Sequence, residues 1–375
     1  MRRLIFKVHM YAGLCVGLVL ATSGLTGSIL VFGEEIDRLL NPTLLRVEPR
    51  AEGRATLEDV IGSVKRAYPN EKAARLRFPH DPEATYEICF EAKRDPLCAY
   101  VDPHSAVVLG ARVPAHSFKG RLFSLHRRLM SGETGETIIG IGGIMLLLMG
   151  LSGLFLWWPG RRSLKRGWTL KRNANRYRKS YTLHRMLGIC ALPFLIVTAF
   201  TGAAMVFRPS FEGALNRLAS ARATPAPKKP VSVARAAEVE RVSLDEIARR
   251  ADTALPQAEI TMIIMAATPQ AAITVRKKLP AEWHPSGRSL VYLDQYSGET
   301  LLVENSTQAI IGTRAGSNLY PVHTGRYGGL TTRVLQALTG CVLAGLFVSG
   351  VLMFWGRRLA KRFQRFKTVP QRIEI

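Results

Sequence analysis

The sequence predicts a membrane all-α four-helix bundle with two small α+β extracytoplasmic domains, made by internal duplication of one unit with parallel repeats. Three observations carry this reading: four long apolar stretches, a basic excess gathered beside them, and a self-match along the chain.

The 375 residues are 47% hydrophobic, and the apolar weight is concentrated at 8–32, 137–158, 183–207 and 332–355. Each stretch is long enough to cross a hydrocarbon core of about 30 Å as a helix. The net charge of +24 is equally segregated. Arg2, Arg3 and Lys7 lie at the start of the first span; Arg161, Arg162, Lys165, Arg166, Lys171, Arg172, Arg176, Arg178 and Lys179 lie in the basic loop 159–182. Arg357, Arg358, Lys361, Arg362, Arg365, Lys367 and Arg372 lie in the basic tail 356–375, opposed only by Glu374.

Lys and Arg beside spans mark the cytoplasmic side. The pattern therefore predicts a multi-pass protein of a bacterial inner (cytoplasmic) membrane with both termini cytoplasmic. Segments 33–125 and 208–322 then lie outside, and membrane lipids are partners. The same pattern explains the charge without nucleic acid, so no nucleic-acid partner is expected. The first span reads as a helix rather than a cleaved signal: its apolar run is too long, and its counterpart sits in mid-chain.

That counterpart emerges at a constant offset of 175, which matches His9 with His184, Gly13 with Gly188, Cys15 with Cys190 and Thr26-Gly27 with Thr201-Gly202, in all ten identities over 33 positions. An offset of 197 matches His126 with His323, Gly132 with Gly329, Gly143 with Gly340, Ser152-Gly153 with Ser349-Gly350, and Trp158 with Trp355. Both copies start in the cytoplasm, so a pseudo-two-fold along the membrane normal relates them.

In each external segment an amphipathic stretch, Leu57 to Tyr68 or Leu244 to Ala254, precedes about four short alternating strands. Tyr100-Val-Asp-Pro-His-Ser105 resembles Tyr292-Leu-Asp-Gln-Tyr-Ser297, and Ala219 to Pro230 reads as a linker. A tight hairpin turning at Lys93-Arg94 would set Cys89 opposite Cys98 and allow a disulfide outside the cytoplasm. A longer turn without that bond is the equal alternative, because no Asn-Gly type of signal fixes the turn. The three cysteines within spans read as small packing residues.

The histidines carry the functional expectation. An ionisable residue in or beside a span is costly to keep there and marks function. Four of the eight form the repeat pairs His9 with His184 and His126 with His323. Two imidazoles from separate helices suit axial ligation of an iron porphyrin, each with its second ring nitrogen bonded to an acceptor. Gly13 and Gly188, four residues after a histidine, would admit a flat macrocycle, although close helix packing explains them equally. Arg127, Arg128 and Arg185 read evenly as propionate partners or interfacial anchors. A bare zinc or copper site is the weaker idea, because two histidines per membrane face do not complete a tetrahedron. A helix break between each outer histidine and its span, at Gly132, Gly135, Gly328 and Gly329, would leave His126 and His323 at the surface. His80, His104, His116 and His284 read as solvated loop residues, with His116 the most notable. No phosphate loop, dinucleotide fingerprint or nucleophile elbow is present.

Together these residues resemble the PepSY-associated transmembrane family of iron-regulated and iron-uptake membrane proteins. The resemblance rests on His9-Met-Tyr-Ala-Gly13, Leu125-His126 leading to Ser152-Gly-Leu-Phe-Leu-Trp-Trp-Pro159, Leu183-His184-Arg-Met-Leu-Gly188, Val322-His323-Thr-Gly325 leading to Trp355, and the Tyr-x-Asp-x-x-Ser strands. It implies a siderophore-reductase-like enzyme that passes electrons outward to a ferric siderophore. Two haem b groups are expected, fed by a quinol or a cytoplasmic reductase; the repeat symmetry pairs His9 with His184 on one and His126 with His323 on the other, and a pairing within one half is the alternative. A membrane-anchored PepSY binding or regulatory protein without redox activity is the rival reading. A transporter is a second rival, and it would need polar residues within the spans. Thr22, Ser23, Thr26, Ser152, Thr198, Thr201 and Ser349 are polar there, and helix packing accounts for them.

Overall fold

The computed structural model describes residues 1–50, 53–158, 175–219, 230–232 and 240–367. Arg161, Arg162, Lys165, Arg166, Lys171 and Arg172 of the basic loop lie outside the described residues, as do nearly all of the linker and, in the tail, Arg372 and Glu374. In chain order the elements are α1 (Arg2–Leu30), α2 (Gly33–Leu40), α3 (Pro42–Leu45), α4 (Leu57–Ala67), β1 (Ala73–Arg77), β2 (Tyr86–Phe90), β3 (Cys98–Val101), β4 (Val108–Arg112), α5 (Phe118–Arg128), α6 (Gly132–Trp157) and α7 (Arg176–Val206). They continue with α8 (Arg208–Leu218), α9 (Leu244–Ala254), β5 (Glu259–Ile264), β6 (Ile273–Lys278), β7 (Ser289–Leu293), β8 (Thr300–Glu304), α10 (Ile311–His323) and α11 (Gly329–Lys367). The chain divides into two units, one of Met1–Val31, Leu125–Val206 and Val322–Ile375, the other of Phe32–Ser124 and Phe207–Pro321.

The first unit is helical. Its four long helices α1, α6, α7 and α11 are each long and apolar enough to cross a membrane. Their outward faces leave Leu18, Ile141, Leu148, Phe200, Leu338 and Leu352 exposed, a surface that suits lipid rather than water. α1 packs against α6 and α11, and α7 packs against the same two. Small residues permit the approach: a Cβ on Gly24 would meet the Gly340 carbonyl at 2.7 Å, and one on Gly143 would meet the Ala199 carbonyl at 3.1 Å. Leu20, Leu146, Ala191, Leu195 and Ala199 fill the centre.

Helix ends are held by arginine. Arg2 donates to the Leu156 carbonyl at 2.8 Å, Arg333 to the Val31 carbonyl at 2.7 Å, and Arg357 to the Tyr177 hydroxyl at 2.7 Å while stacking 4.6 Å from the Phe6 ring. Carbonyls without intrahelical partners find donors in this way.

In the second unit the expectation of two separate external domains meets a different architecture. Each segment does supply one helix and four strands, but the strands form a single antiparallel sheet in the order β4-β3-β2-β1-β5-β6-β7-β8. β1 and β5 join the halves, with Leu76 opposite Ile263. An unpaired strand edge exposes its N–H and C=O groups, and pairing β1 with β5 removes one such edge from each half. α4 and α9 cover one face of the sheet. Val60, Val64, Leu76, Ile88, Val101, Ile247, Ile263, Val275, Val291 and Leu293 are buried there in one core.

Sequence signals at the helix starts are honoured. Thr56 and Ser243 accept through their hydroxyls from the N–H groups of Asp59 and Glu246. Each helix is also capped by the other: Asp245 accepts from the N–H groups of Leu57 at 3.0 Å and Glu58 at 3.3 Å, and Glu58 accepts from the Leu244 N–H at 2.7 Å. The repeated Tyr-x-Asp-x-x-Ser segments are turns. Asp102 accepts from the N–H groups of His104 and Ser105, and Asp294 from those of Tyr296 and Ser297.

Cys89 and Cys98 are register partners on β2 and β3 and are joined by a disulfide. The connection between the strands is longer than a two-residue turn, because the outermost bond runs from the Phe90 N–H to the Leu97 carbonyl. Beside it, Asp37 of α2 receives both guanidinium nitrogens of Arg112, at 2.8 and 2.6 Å, and Arg112 also donates to the Tyr100 hydroxyl.

Candidate functional site

All four paired histidines lie in the helical unit, and they meet as two pairs. The ring centroids of His9 and His184 are 6.4 Å apart, and those of His126 and His323 are 6.2 Å apart. His9 and His184 come from α1 and α7, which face each other across α6 and α11. His126 and His323 close the short helices α5 and α10. The helix break after each is present: Leu129 and Met130 adopt φ of 48° and 57°, and Gly325 and Gly329 adopt 73° and 66°. It does not leave these histidines at the surface. The reversal lays His126 against the C-terminal part of α1 and His323 against that of α7.

Each ring is fixed through Nδ1. His9 Nδ1 lies 2.8 Å from Ser152 Oγ, and His184 Nδ1 lies 2.9 Å from Ser349 Oγ and 3.0 Å from the Leu346 carbonyl. His126 Nδ1 lies 2.9 Å from the Ser23 carbonyl and 3.3 Å from both Ser23 Oγ and Thr26 Oγ1. His323 Nδ1 lies 3.0 Å from Thr201 Oγ1 and 3.2 Å from the Thr198 carbonyl.

These contacts decide which nitrogen carries the proton. A carbonyl only accepts, so His126, His184 and His323 must donate from Nδ1. The hydroxyls agree, because each gives its single proton to a carbonyl of its own helix. Ser152 donates to Met149, Ser349 to Gly345, Thr26 to Thr22 and Thr201 to Val197. Ser152 is thereby left as an acceptor for His9. In all four neutral rings Nε2 retains its lone pair, the state of a histidine prepared to bind a metal.

A glycine beside each Ser or Thr makes room for the ring. A Cβ on Gly27 would lie 2.9 Å from His126 Cε1, on Gly202 3.1 Å from His323 Cε1, on Gly153 3.4 Å from His9 Cε1 and on Gly350 3.8 Å from His184 Cε1. The doublets Thr26-Gly27, Ser152-Gly153, Thr201-Gly202 and Ser349-Gly350 are therefore four seats for four imidazoles. Their hydroxyls do more than pack helices.

The other expected site residues separate. Gly13 and Gly188 lie at helix contacts, where a Cβ would meet Met149 Cε at 3.1 Å and Leu346 Cδ2 at 3.7 Å. Arg127 and Arg128 both pair with Glu136, at 2.7 and 3.1 Å. Arg185 lies beside Tyr181, and its buried Nε has no hydrogen-bond partner among the described residues. Gln336, a polar residue not among those expected from the sequence, exchanges hydrogen bonds within a span with Thr198, at 2.9 and 3.2 Å. Of the loop histidines, His284 lies 3.1 Å from Arg288 and 5.3 Å from the Tyr320 ring, and His80 lies 2.9 Å from Arg38.

The helical unit and the sheet unit together match the family described as the PepSY-associated TM region, over residues 6–357. The chain belongs to this family. The matched stretch of the PepSY-associated protein includes all four histidines and their seats. A more local similarity, 35% identity over 82 residues, links it to the uncharacterized protein PA4219 of Pseudomonas aeruginosa. That similarity covers 22% of this chain and 20% of the Pseudomonas protein.

Chemically, each pair offers two imidazole lone pairs and little else. Among the described residues the one group of three or more His, Cys, Asp or Glu within metal-binding reach is Glu87 with Cys89 and Cys98, and its cysteines are tied up in the disulfide. Neither histidine pair has a third protein ligand of those types, so neither completes a tetrahedral zinc site.

Proposed function

We propose that this PepSY-associated protein is a haem b oxidoreductase of the bacterial inner membrane. It would pass electrons from a quinol or cytoplasmic reductase to a ferric siderophore outside. In this reading α1, α6, α7 and α11 form a four-helix bundle of two parallel repeats with cytoplasmic termini, and the sheet unit is extracytoplasmic.

The observation that carries it is the pair spacing. A metal–imidazole bond is about 2.0 Å, and a ring nitrogen lies about 1.1 Å from its centroid, so two rings that met one metal ion from opposite sides would have centroids about 6.2 Å apart. The centroid separations of 6.4 and 6.2 Å suit that arrangement, in which Nε2 would be the ligating atom at each histidine. A pair of imidazoles with no further protein ligand of these types among the described residues would suit an iron whose remaining ligands come with a macrocycle.

When bound, haem supplies a reversible one-electron couple. The chain's own residues do the rest. Ser152, Ser349, Thr26 and Thr201 hold the rings in orientation and keep the proton on Nδ1. The apolar helices exclude water. Arg185, with its unpaired buried Nε, suits a propionate, whereas Arg127 is already engaged by Glu136. From His9 to Thr26, which contacts His126, α1 rises about 25 Å, close to the hydrocarbon thickness, so one pair serves each face.

The test is a reduced-minus-oxidised absorption spectrum of the detergent-purified protein, with haem quantified per chain. Wild type should show b-type bands at about two haems per chain. His9→Ala or His184→Ala should remove one, and His126→Ala or His323→Ala the other. A colourless protein from haem-replete cells would sink the reductase and leave the membrane-anchored binding protein as the better reading.

A further inference from the structure

The face of the sheet turned away from α4 and α9 carries arginines that the histidine relay does not use. On β1, Leu76 is fully buried beneath the helices, so its neighbours Arg75 and Arg77 take the opposite face. Met262 of β5 pairs with Arg77 on one side and with Arg276 of β6 on the other, so these three form a row across the centre of the sheet. Leu290 pairs with Arg276, and Arg288, two residues before it, shares its facing. Arg208 of α8 lies near enough to act on Arg288.

The nearby acids do not balance this group. Glu87 reaches Arg77 at 3.7 Å, and Glu212 binds Arg208 at 2.6 Å. Glu282 is occupied by the hydroxyls of Ser289 and Ser306 and by the N–H groups of Leu279 and Arg288. Among the described residues the guanidinium of Arg276 has no ion-pair partner, and the buried Nε atoms of Arg276 and Arg288 donate to nothing. Burial, followed by the charges of Arg77 and Arg75, holds Arg276 below its ordinary value. Burial, with Arg208 and Arg276, does the same to Arg288. Arg288 does meet His284 Nε2 through Nη2 at 3.1 Å, but two buried guanidinium Nε donors without acceptors, gathered with like charges, suit an anion.

We propose that Arg75, Arg77, Arg276 and Arg288 form a binding site for a polyanionic, carboxylate-bearing metal chelate. Taken with the reductase reading, on which this last step rests, the ferric acceptor is a negatively charged complex. Guanidinium forks match paired carboxylate oxygens and discriminate by charge as well as shape. A neutral or cationic chelate would leave the cluster unbalanced.

Redox-inert gallium separates binding from electron transfer. Titration calorimetry on the full-length, detergent-purified protein should show gallium(III) citrate binding, with affinity that falls as salt rises. The cationic gallium(III) complex of desferrioxamine B should bind about tenfold more weakly or worse. Arg276→Gln and the double variant Arg75→Gln/Arg77→Gln should each weaken gallium citrate at least about tenfold, with the haem spectrum unchanged. The comparison of the two chelates on wild type does not depend on any variant folding. Equal affinity for both chelates, or gallium citrate binding indifferent to the arginine substitutions, overturns the site. So does a wild type that ignores gallium citrate but binds phosphatidylglycerol vesicles through these arginines. Absence of haem bears on the reductase and leaves this titration readable; absence of gallium citrate binding in haem-loaded protein removes the site and leaves the reductase.

Discussion

Gly27 sits directly against the ring of His126, so close that a methyl group on its Cα would fall 2.9 Å from Cε1. Its counterparts are graded: 3.1 Å at Gly202, 3.4 Å at Gly153 and 3.8 Å at Gly350. The grading gives an ordered prediction. Gly27→Ala should displace His126 from the Ser23 carbonyl and lower haem content toward one per chain, whereas Gly350→Ala meets ordinary van der Waals contact and should retain both. Haem per chain for the two variants, purified side by side, checks the order; equal loss from both would mean that the glycines serve helix packing alone.

The two serine seats are not equivalent. Among the described residues His9 has only Ser152 for its Nδ1 proton, whereas His184 has the Leu346 carbonyl besides Ser349. Partners of this kind typically change metal affinity by about 10–100-fold. Ser152→Ala should therefore weaken retention of the haem proposed for His9 and His184 by about that factor. Ser349→Ala should do so by much less, because the backbone acceptor remains. Competition for haem by apomyoglobin measures both.

Much of this site was legible because it repeats. The histidine pairs and the Ser-Gly and Thr-Gly doublets all stand out when the chain is laid on itself at offsets of 175 and 197. What the sequence did not reveal was that one feature seats the other. A hydroxyl in a span reads as packing until a ring nitrogen is found against it. A signal was nonetheless present in the equal numbers: four doublets repeat, and so do four histidines. Gln336 escaped for a different reason, lying at the edge of an apolar run whose average hides one amide. The joining of the two strand sets was not legible at all. β1 and β5 pair across a separation of nearly 190 residues, and neither strand carries a mark that distinguishes a shared edge from a free one. Arginine facing was half legible: alternation puts Arg75 and Arg77 on one side of β1, but their meeting with Arg276 depends on that same unforeseen pairing.

The disulfide closes the β2–β3 hairpin within the buried patch formed by Cys89, Cys98 and Tyr100 under Leu44 and Leu45. Cys89→Ala/Cys98→Ala should destabilise the sheet unit by about 2–4 kcal/mol, the usual range for a lost native bridge. Thermal unfolding of the variant against wild type measures it. Alkylation of the unreduced, denatured protein followed by mass spectrometry should find Cys15, Cys190 and Cys341 modified and the other two protected.

The reciprocal caps at Glu58 and Asp245 make the sheet unit sensitive to pH in a way that can be worked out by sign. Burial and the neighbouring Asp245 raise the Glu58 carboxyl above its ordinary value. Burial works against ionisation at Asp245 too, but the hydrogen bonds from Glu58 and from the N–H groups of Leu57 and Glu58 prevail and hold it below the ordinary range. The Asp245 contribution is present above the unfolded carboxylate range and is lost as pH falls through its lowered folded value. The Glu58 contribution is present in acid and is lost as pH rises through its raised folded value. The junction is thus strongest with Glu58 protonated and Asp245 ionised, and it weakens as pH rises through the raised Glu58 value. Glu58→Gln reproduces that state permanently, since its amide donates to Asp245 and its oxygen still accepts from the Leu244 N–H. The variant should be more stable than wild type at pH 7 to 8, by no more than about 1 kcal/mol because both groups are well solvated. Its advantage should vanish as pH falls toward about 4, where wild-type Glu58 carries the proton itself. Asp245→Asn should do the opposite, losing stability at every pH above the carboxylate range, because its amide cannot accept from both N–H groups that the carboxylate caps. Thermal midpoints of the three proteins across pH 4 to 8 test the sign, and an E58Q protein no more stable than wild type at pH 8 would show that the two carboxylates ionise independently.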